Sequence, residues 1–127
     1  MFSLSSMFQV AVGGAAGSVL RYMTNVAAGR LFGTGFPLGT LVVNVVGSFL
    51  MGVLVVLLAE KGGTRHAPLL MTGLLGGFTT LSAFSLDTVT LWERGQHGLA
   101  LGYVALTLGL SLCAIVLALH LLRGVFA

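Results

Sequence analysis

Four stretches of this chain, Met1 to Leu20, Leu31 to Ala59, His66 to Leu86 and Gly95 to Leu122, contain no Asp, Glu, Lys or Arg. Each reaches or exceeds the roughly 18 to 20 residues with which an α-helix crosses the hydrocarbon of a bilayer. In lipid every backbone N–H and C=O needs a partner within the protein. The expectation is therefore four transmembrane helices, at about 7–29, 38–59, 67–92 and 98–122. With 57% hydrophobic and 7% charged residues, the composition is that of an integral membrane protein. So little chain lies outside the four runs that a single membrane domain, 1–127, is expected, with no soluble catalytic module and no enzyme activity. The first run lacks a basic leader and reads as a retained helix.

The third run is apolar enough to span, yet poorly suited to a continuous helix. Within Thr72 to Asp87, Gly76-Gly77 and Thr79-Thr80 weaken helix formation through backbone entropy and β-branching. Irregular backbone at membrane depth is tolerated where it is buried in protein or lines a wet cavity, and broken helices of this kind often hold ions or substrates. A break in the third helix is the expectation.

The formal net charge of +3 comes from six basic residues scattered singly along the chain, which excludes a clustered nucleic-acid patch. With four spans, the two termini and the second connection share one side and carry Lys61, Arg65 and Arg123. The opposite side carries Arg30 and Arg94, joined by Arg21 if that residue snorkels. Orientation follows the Lys/Arg bias of short loops, which is close to nil here. Such a chain is free to insert both ways up, the precondition for an antiparallel homodimer with its two-fold axis in the membrane plane. No sequence repeat links the two halves, so inverted symmetry would have to come from dimerisation. Cys113 is alone, and His66, His97 and His120 lie in separate segments without zinc-ligand spacing.

Polar residues within the spans fall in register. Thr40, Asn44 and Ser48 stand at i, i+4 and i+8 on the second helix beside Gly47 and Gly52; Tyr103, Thr107 and Ser111 repeat the spacing on the fourth. Two readings are open: hydrogen-bonding glue between helices, or a track of neutral donors facing the broken third helix, where Ser82, Ser85 and Thr88 add hydroxyls. The Asn44 amide, costly to bury unpaired, favours a pathway or site. On a helix after the break, Leu81, Phe84 and Ser85 share a face, and a Phe ring edge carries the positive end of the ring quadrupole. Arg21 could snorkel or set a positive potential in a vestibule. Asp87 is the one carboxylate well inside a span, where such residues are functional candidates. Gly13, Gly14 and Gly17 give the first helix a small face for close approach.

Three motifs in order, Gly13-Gly14-x-x-Gly17-x-x-x-Arg21-Tyr22, Pro37-x-Gly39-Thr40-Leu41-x-x-Asn44-x-x-Gly47-Ser48-Phe49-x-x-Gly52 and Thr72-Gly73-x-x-Gly76-Gly77-x-Thr79-Thr80-x-Ser82-x-Phe84-Ser85, resemble the CrcB/Fluc fluoride channel family. The resemblance covers essentially the whole chain. It implies an all-α integral membrane subunit of four transmembrane helices, the third broken, assembled as an antiparallel, dual-topology homodimer with two fluoride pores. It further implies a central structural sodium on the backbone carbonyls of Gly76 and Thr79 from both subunits. Asn44 would be a pore donor, Phe84 an aromatic edge facing fluoride and Arg21 a vestibule residue. Ser82, Thr40, Tyr103, Thr107 and Ser111 would complete the polar path. Where the family pattern reads T-F-S-T-F-S, this chain has Thr80-Leu81-Ser82-Ala83-Phe84-Ser85, so Leu81 replaces one pore phenylalanine and Ala83 a threonine. Leucine supplies bulk and dryness without an oriented quadrupole.

The function expected is thus passive, fluoride-selective export of cytoplasmic fluoride across the plasma (inner) membrane by a multi-pass homodimer, its partners being itself, the lipid and the ion. Two alternatives are a non-conducting or obligate partner subunit, and a proton-coupled small multidrug transporter using Asp87. Leu81 separates the first of these from a self-sufficient channel. Conduction is expected to survive with leucine there, and liposome flux that rose from near zero to substantial on Leu81→Phe would contradict it.

Overall fold

A computed structural model of the chain describes residues 3–62 and 64–126; Met1 and Phe2 of the first apolar run, Gly63 of the second connection and Ala127 lie outside them. The described residues form helices and no strand. Helix α1 runs Leu4–Phe32, begun by Ser3, whose side chain accepts from the Ser6 N–H at 3.3 Å. Helix α2 spans Leu38–Lys61 behind Pro37 and closes on Gly62, which takes the left-handed conformation (φ 67°) and returns its N–H to the Leu58 carbonyl. A short 3₁₀ turn, Thr64–His66, leads into Pro68–Leu75, wound as a π-helix, and then the single turn α3, Gly76–Phe78. Helix α4 is Leu81–Glu93 and helix α5 is His97–Val125.

Among the described residues, three helical segments are both long and apolar enough to cross a membrane: Leu38–Lys61, Pro68–Glu93 taken as one interrupted span, and His97–Val125. Their ends fall within three residues of those expected from the charge pattern. Helix α1 has the length, 29 residues, but Ser5, Ser6, Gln9, Ser18, Arg21, Thr24 and Asn25 make it the most polar of the long helices.

Helix α1 lies along the π-helical segment and α3, while α2 lies along α5. Glycine sets the first contact. A Cβ on Gly13 would collide with the Leu69 carbonyl, and one on Gly17 with the Leu74 carbonyl while standing 2.8 Å from the Phe78 nitrogen. Backbone therefore packs on backbone, as the small face of this helix suggested. The second contact is closed by Gly52, where a Cβ would come within 2.8 Å of Ala118 Cβ. The deepest apolar cluster, Leu41, Leu91, Ala100 and Tyr103, gathers α2, α4 and α5 at one end of the bundle. Most large apolar side chains point outward, Leu81 and Val125 each 74% exposed, as befits a surface meeting lipid or another subunit.

Because Gly17 faces backbone rather than a movable side chain, Gly17→Ala is expected to overpack the contact. Thermal unfolding in detergent micelles should show a destabilisation of about 1–3 kcal/mol, whereas the same change at Gly109, which has open space around it, should cost nothing measurable.

Candidate functional site

The third span breaks at two residues. Thr79 (φ −88°, ψ 157°) and Thr80 (φ −157°, ψ 127°) are extended, with α3 ending before them and α4 starting after them. The adjacent glycines, expected to weaken the helix, do not take part in the break: Gly76 and Gly77 stay helical. Gly77 instead serves contact with α1, since a Cβ there would lie 2.7 Å from the Gly14 carbonyl oxygen. Two β-branched residues that favour extended backbone lower the cost of leaving the helix at this point.

Side chains take over the work of the lost helical hydrogen bonds. Asn44 on α2 holds Thr80 from both sides: the Thr80 N–H donates to Asn44 Oδ1 at 2.9 Å, and Asn44 Nδ2 donates to the Thr80 carbonyl at 3.2 Å. Thr80 in turn starts α4, its Oγ1 accepting from the Ala83 N–H at 3.2 Å and lying 3.0 Å from Ser82 Oγ. Thr79 keeps its bonds backward, N–H and hydroxyl both donating to the Leu75 carbonyl. Arg21 Nε reaches from α1 to donate to the Gly77 carbonyl at 3.0 Å. In an unbroken helix the Gly76 carbonyl would accept from Thr80 and the Thr79 carbonyl from Ala83. Both N–H groups are bonded elsewhere, so these two carbonyls lose their helical donors.

Beside the break opens a groove of about 330 Å³. It is lined by Asn44 and Ser48 from α2, Thr79 and Thr80, Leu81 and Phe84 from α4, and Thr107 and Ser111 from α5, with no charged residue among the described ones. Thr107 is 5% exposed, and neither its Oγ1 nor Ser111 Oγ has a hydrogen-bond partner among the described residues. Buried hydroxyls are rarely left so.

The remaining sequence candidates lie elsewhere. Thr40 is buried and lines a second cavity, of about 320 Å³, between the end of α1, the start of α2 and the end of α4. Tyr103 is fully buried; its hydroxyl donates to Asp87 Oδ2 at 3.1 Å. The Phe36 ring, which lines the second cavity, meets Tyr103 edge-on at 5.5 Å between centroids, and the Phe84 ring, which lines the groove, meets it at 5.3 Å. Tyr103 thus stands between the two spaces. Ser82 is exposed, Ser85 lines neither cavity, and Thr88 Oγ1 donates back to the Phe84 carbonyl. Gly76 is exposed and Thr79 half-buried.

Some participants escaped the sequence reading. Beside Asp87, already a candidate, the second cavity carries Asn25, which the sequence did not single out, and Arg94, read there only as a loop charge; Asn25 fills the space that a side chain on Gly39 would need. A glycine at the start of α2 facing an amide on α1 has no signature in either segment alone.

The family described as CrcB-like protein, Camphor Resistance (CrcB) matches residues 8–119. The chain belongs to that family. It is 64% identical over 121 residues to the Fluoride-specific ion channel FluC of Cereibacter sphaeroides, covering 95% of this chain and 97% of that one. It is 57% identical over 122 residues to the protein of the same name from Paracoccus denitrificans, covering 96% and 98%. The Agrobacterium fabrum protein, also named Fluoride-specific ion channel FluC, is 50% identical over 119 residues, covering 92% and 95%. With such relatives and its apolar helices, this CrcB-family chain is a multi-pass membrane protein of a channel family rather than an enzyme.

Asn44→Leu is expected to free the Thr80 peptide. Loss of two hydrogen bonds to a part-buried group should destabilise the protein by about 2–4 kcal/mol. Hydrogen exchange should show the Thr80 amide losing protection well beyond that at mid-α5.

Proposed function

We propose that the protein is a fluoride channel that lets fluoride leave the cell passively across the plasma membrane. In this reading α1 is a fourth span, and two copies inserted in opposite orientations form the working homodimer. The observation that carries the reading is the groove at the break: among the described residues it has no charged lining, yet it holds two buried hydroxyls without a hydrogen-bond partner, at Thr107 and Ser111. Hydroxyls can rotate their protons toward an anion. The relatives' printed name supplies the identity of that anion.

A small, strongly hydrated anion enters such a path only if protein donors replace its water. Thr107 and Ser111 are one turn apart on α5 and would serve in succession. Asn44 has one amide hydrogen left after binding the Thr80 carbonyl, and that hydrogen is the third donor. Phe84 would offer its ring edge. The absence of a fixed cation in the lining allows the ion to leave again. Leu81 adds apolar bulk at the groove mouth and asks for no partner, so its replacement of an aromatic ring is compatible with conduction.

The Gly76 and Thr79 carbonyls fit a structural sodium ion, because carbonyl oxygens are hard donors and these two have lost their helical hydrogen bonds. Bound there, the ion would satisfy both carbonyls and, shared between two copies, tie the breaks together. Fluoride would not pass through it.

Purified protein in liposomes should release fluoride and retain chloride. Equal passage of both anions, or of neither, would sink the proposal. Combining Thr107→Val with Ser111→Ala removes hydrogen bonds worth about 1.5–3 kcal/mol each to an ion, so fluoride efflux should fall about tenfold or more.

A further inference from the structure

The Gly76 and Thr79 carbonyls, read as sodium ligands, are not positioned in the same way. The Thr79 carbonyl belongs to the same rigid peptide unit as the Thr80 N–H, which is bonded to Asn44 Oδ1. In a trans peptide the two groups point in opposite directions, so Asn44 aims the Thr79 carbonyl directly. The Gly76 carbonyl has no such handle: among the described residues no side chain bonds the Gly76–Gly77 peptide unit, and the carbonyl takes its direction from the single helical turn Gly76–Phe78. The next unit does have one: the Gly77 carbonyl accepts from Arg21 Nε at 3.0 Å, across a separation of 56 residues.

We propose that Arg21 is a positioning residue for the cation site. By fixing the Gly77–Phe78 peptide against α1 it pins Gly77, and with Gly77 the plane that carries the Gly76 carbonyl. This inference rests on the reading of the two carbonyls as a sodium site. Arg21 is half-buried, and its planar fork holds a direction that a lysine ammonium, a rotating point charge, does not. The role is therefore one of geometry and not of charge.

The test is equilibrium binding of ²²Na⁺ to the full-length protein in nanodiscs, prepared without sodium, for the unaltered chain, Arg21→Gln and Arg21→Lys. Fluoride efflux from liposomes is followed at rising sodium concentration in parallel, and helix content by circular dichroism. Both variants should keep their helix content and bind sodium about tenfold to a hundredfold more weakly, the range seen when groups supporting metal ligands are lost. Their preference for Na⁺ over Li⁺ and K⁺ should fall, and efflux should recover as sodium is raised. Sodium affinity unchanged in Arg21→Lys would overturn the inference by showing that charge suffices. So would efflux that falls in Arg21→Gln at every sodium concentration with affinity intact, which would place Arg21 on the anion's route. An unaltered protein that moves fluoride but binds no sodium overturns the inference and leaves the channel standing. One that binds sodium but moves no fluoride refutes the channel, and the variants' affinities still decide the role of Arg21. If Arg21→Gln does not fold, Arg21→Lys decides alone.

Discussion

The double hydrogen bond between Asn44 and the Thr80 peptide is the interaction on which the rest of this architecture depends. Interrupting a helix within a membrane exposes backbone groups, each of which costs several kcal/mol when left without a partner in hydrocarbon. An asparagine side chain is itself an amide, with a donor and an acceptor spaced to pair with one residue of extended backbone, as a neighbouring β-strand would. Asn44 therefore substitutes for the missing helix at the point of interruption. That pairing sets the course of the chain beyond it: Thr80 held extended, its hydroxyl turned to cap α4, and α4 leaving in a new phase.

The break also divides the polar groups of the bundle into two populations. On one side is the groove, lined by neutral donors and apolar side chains. On the other is the cavity with Asp87 and Arg94. Tyr103 separates them and donates its hydroxyl hydrogen bond to Asp87, so the one carboxylate well inside a span is occupied on the side away from the groove. A carboxylate facing the groove would repel an anion there, and an arginine would trap it; at low dielectric either effect reaches many kcal/mol. In the proposed channel, keeping charge out of the groove while leaving hydroxyls in it would be the electrostatic condition for passage.

Much of this was legible in the sequence, and the limits are physical. Charge-free runs of membrane length located the helices within a few residues, since no other property so constrains a chain in lipid. The close face of α1 was visible in Gly13, Gly14 and Gly17, because helical spacing maps directly onto a surface. The region of the break was visible, but not its position: adjacent glycines either loosen a helix or let it approach another, and Gly77 against Gly14 is the second case. Pairings across the break were hidden. Two extended residues rotate α4 by an amount that spacing cannot supply, so extrapolating i, i+4 patterns through them misses Asp87 against Tyr103. Thr40 illustrates the same limit: it shares a helical stripe with Asn44 and Ser48, yet helix α2 is long enough for that stripe to meet one cavity at its start and another at its middle.

The stripe on α2 has a further reason to combine small and polar residues. Asn44 reaches Thr80 only because the backbone of the break lies close to α2, and it lies close because Gly47 leaves room for Thr79 Cγ2, which sits where a Cβ on Gly47 would be. Residues three apart on a helix face the same way, so Asn44 and Gly47 address consecutive residues of the same two-residue break. The glycine admits Thr79 and the asparagine fastens Thr80. A side chain at position 47 would push the break outward and unfasten the amide without touching it, which makes the smallness of one residue and the polarity of the other two parts of a single device.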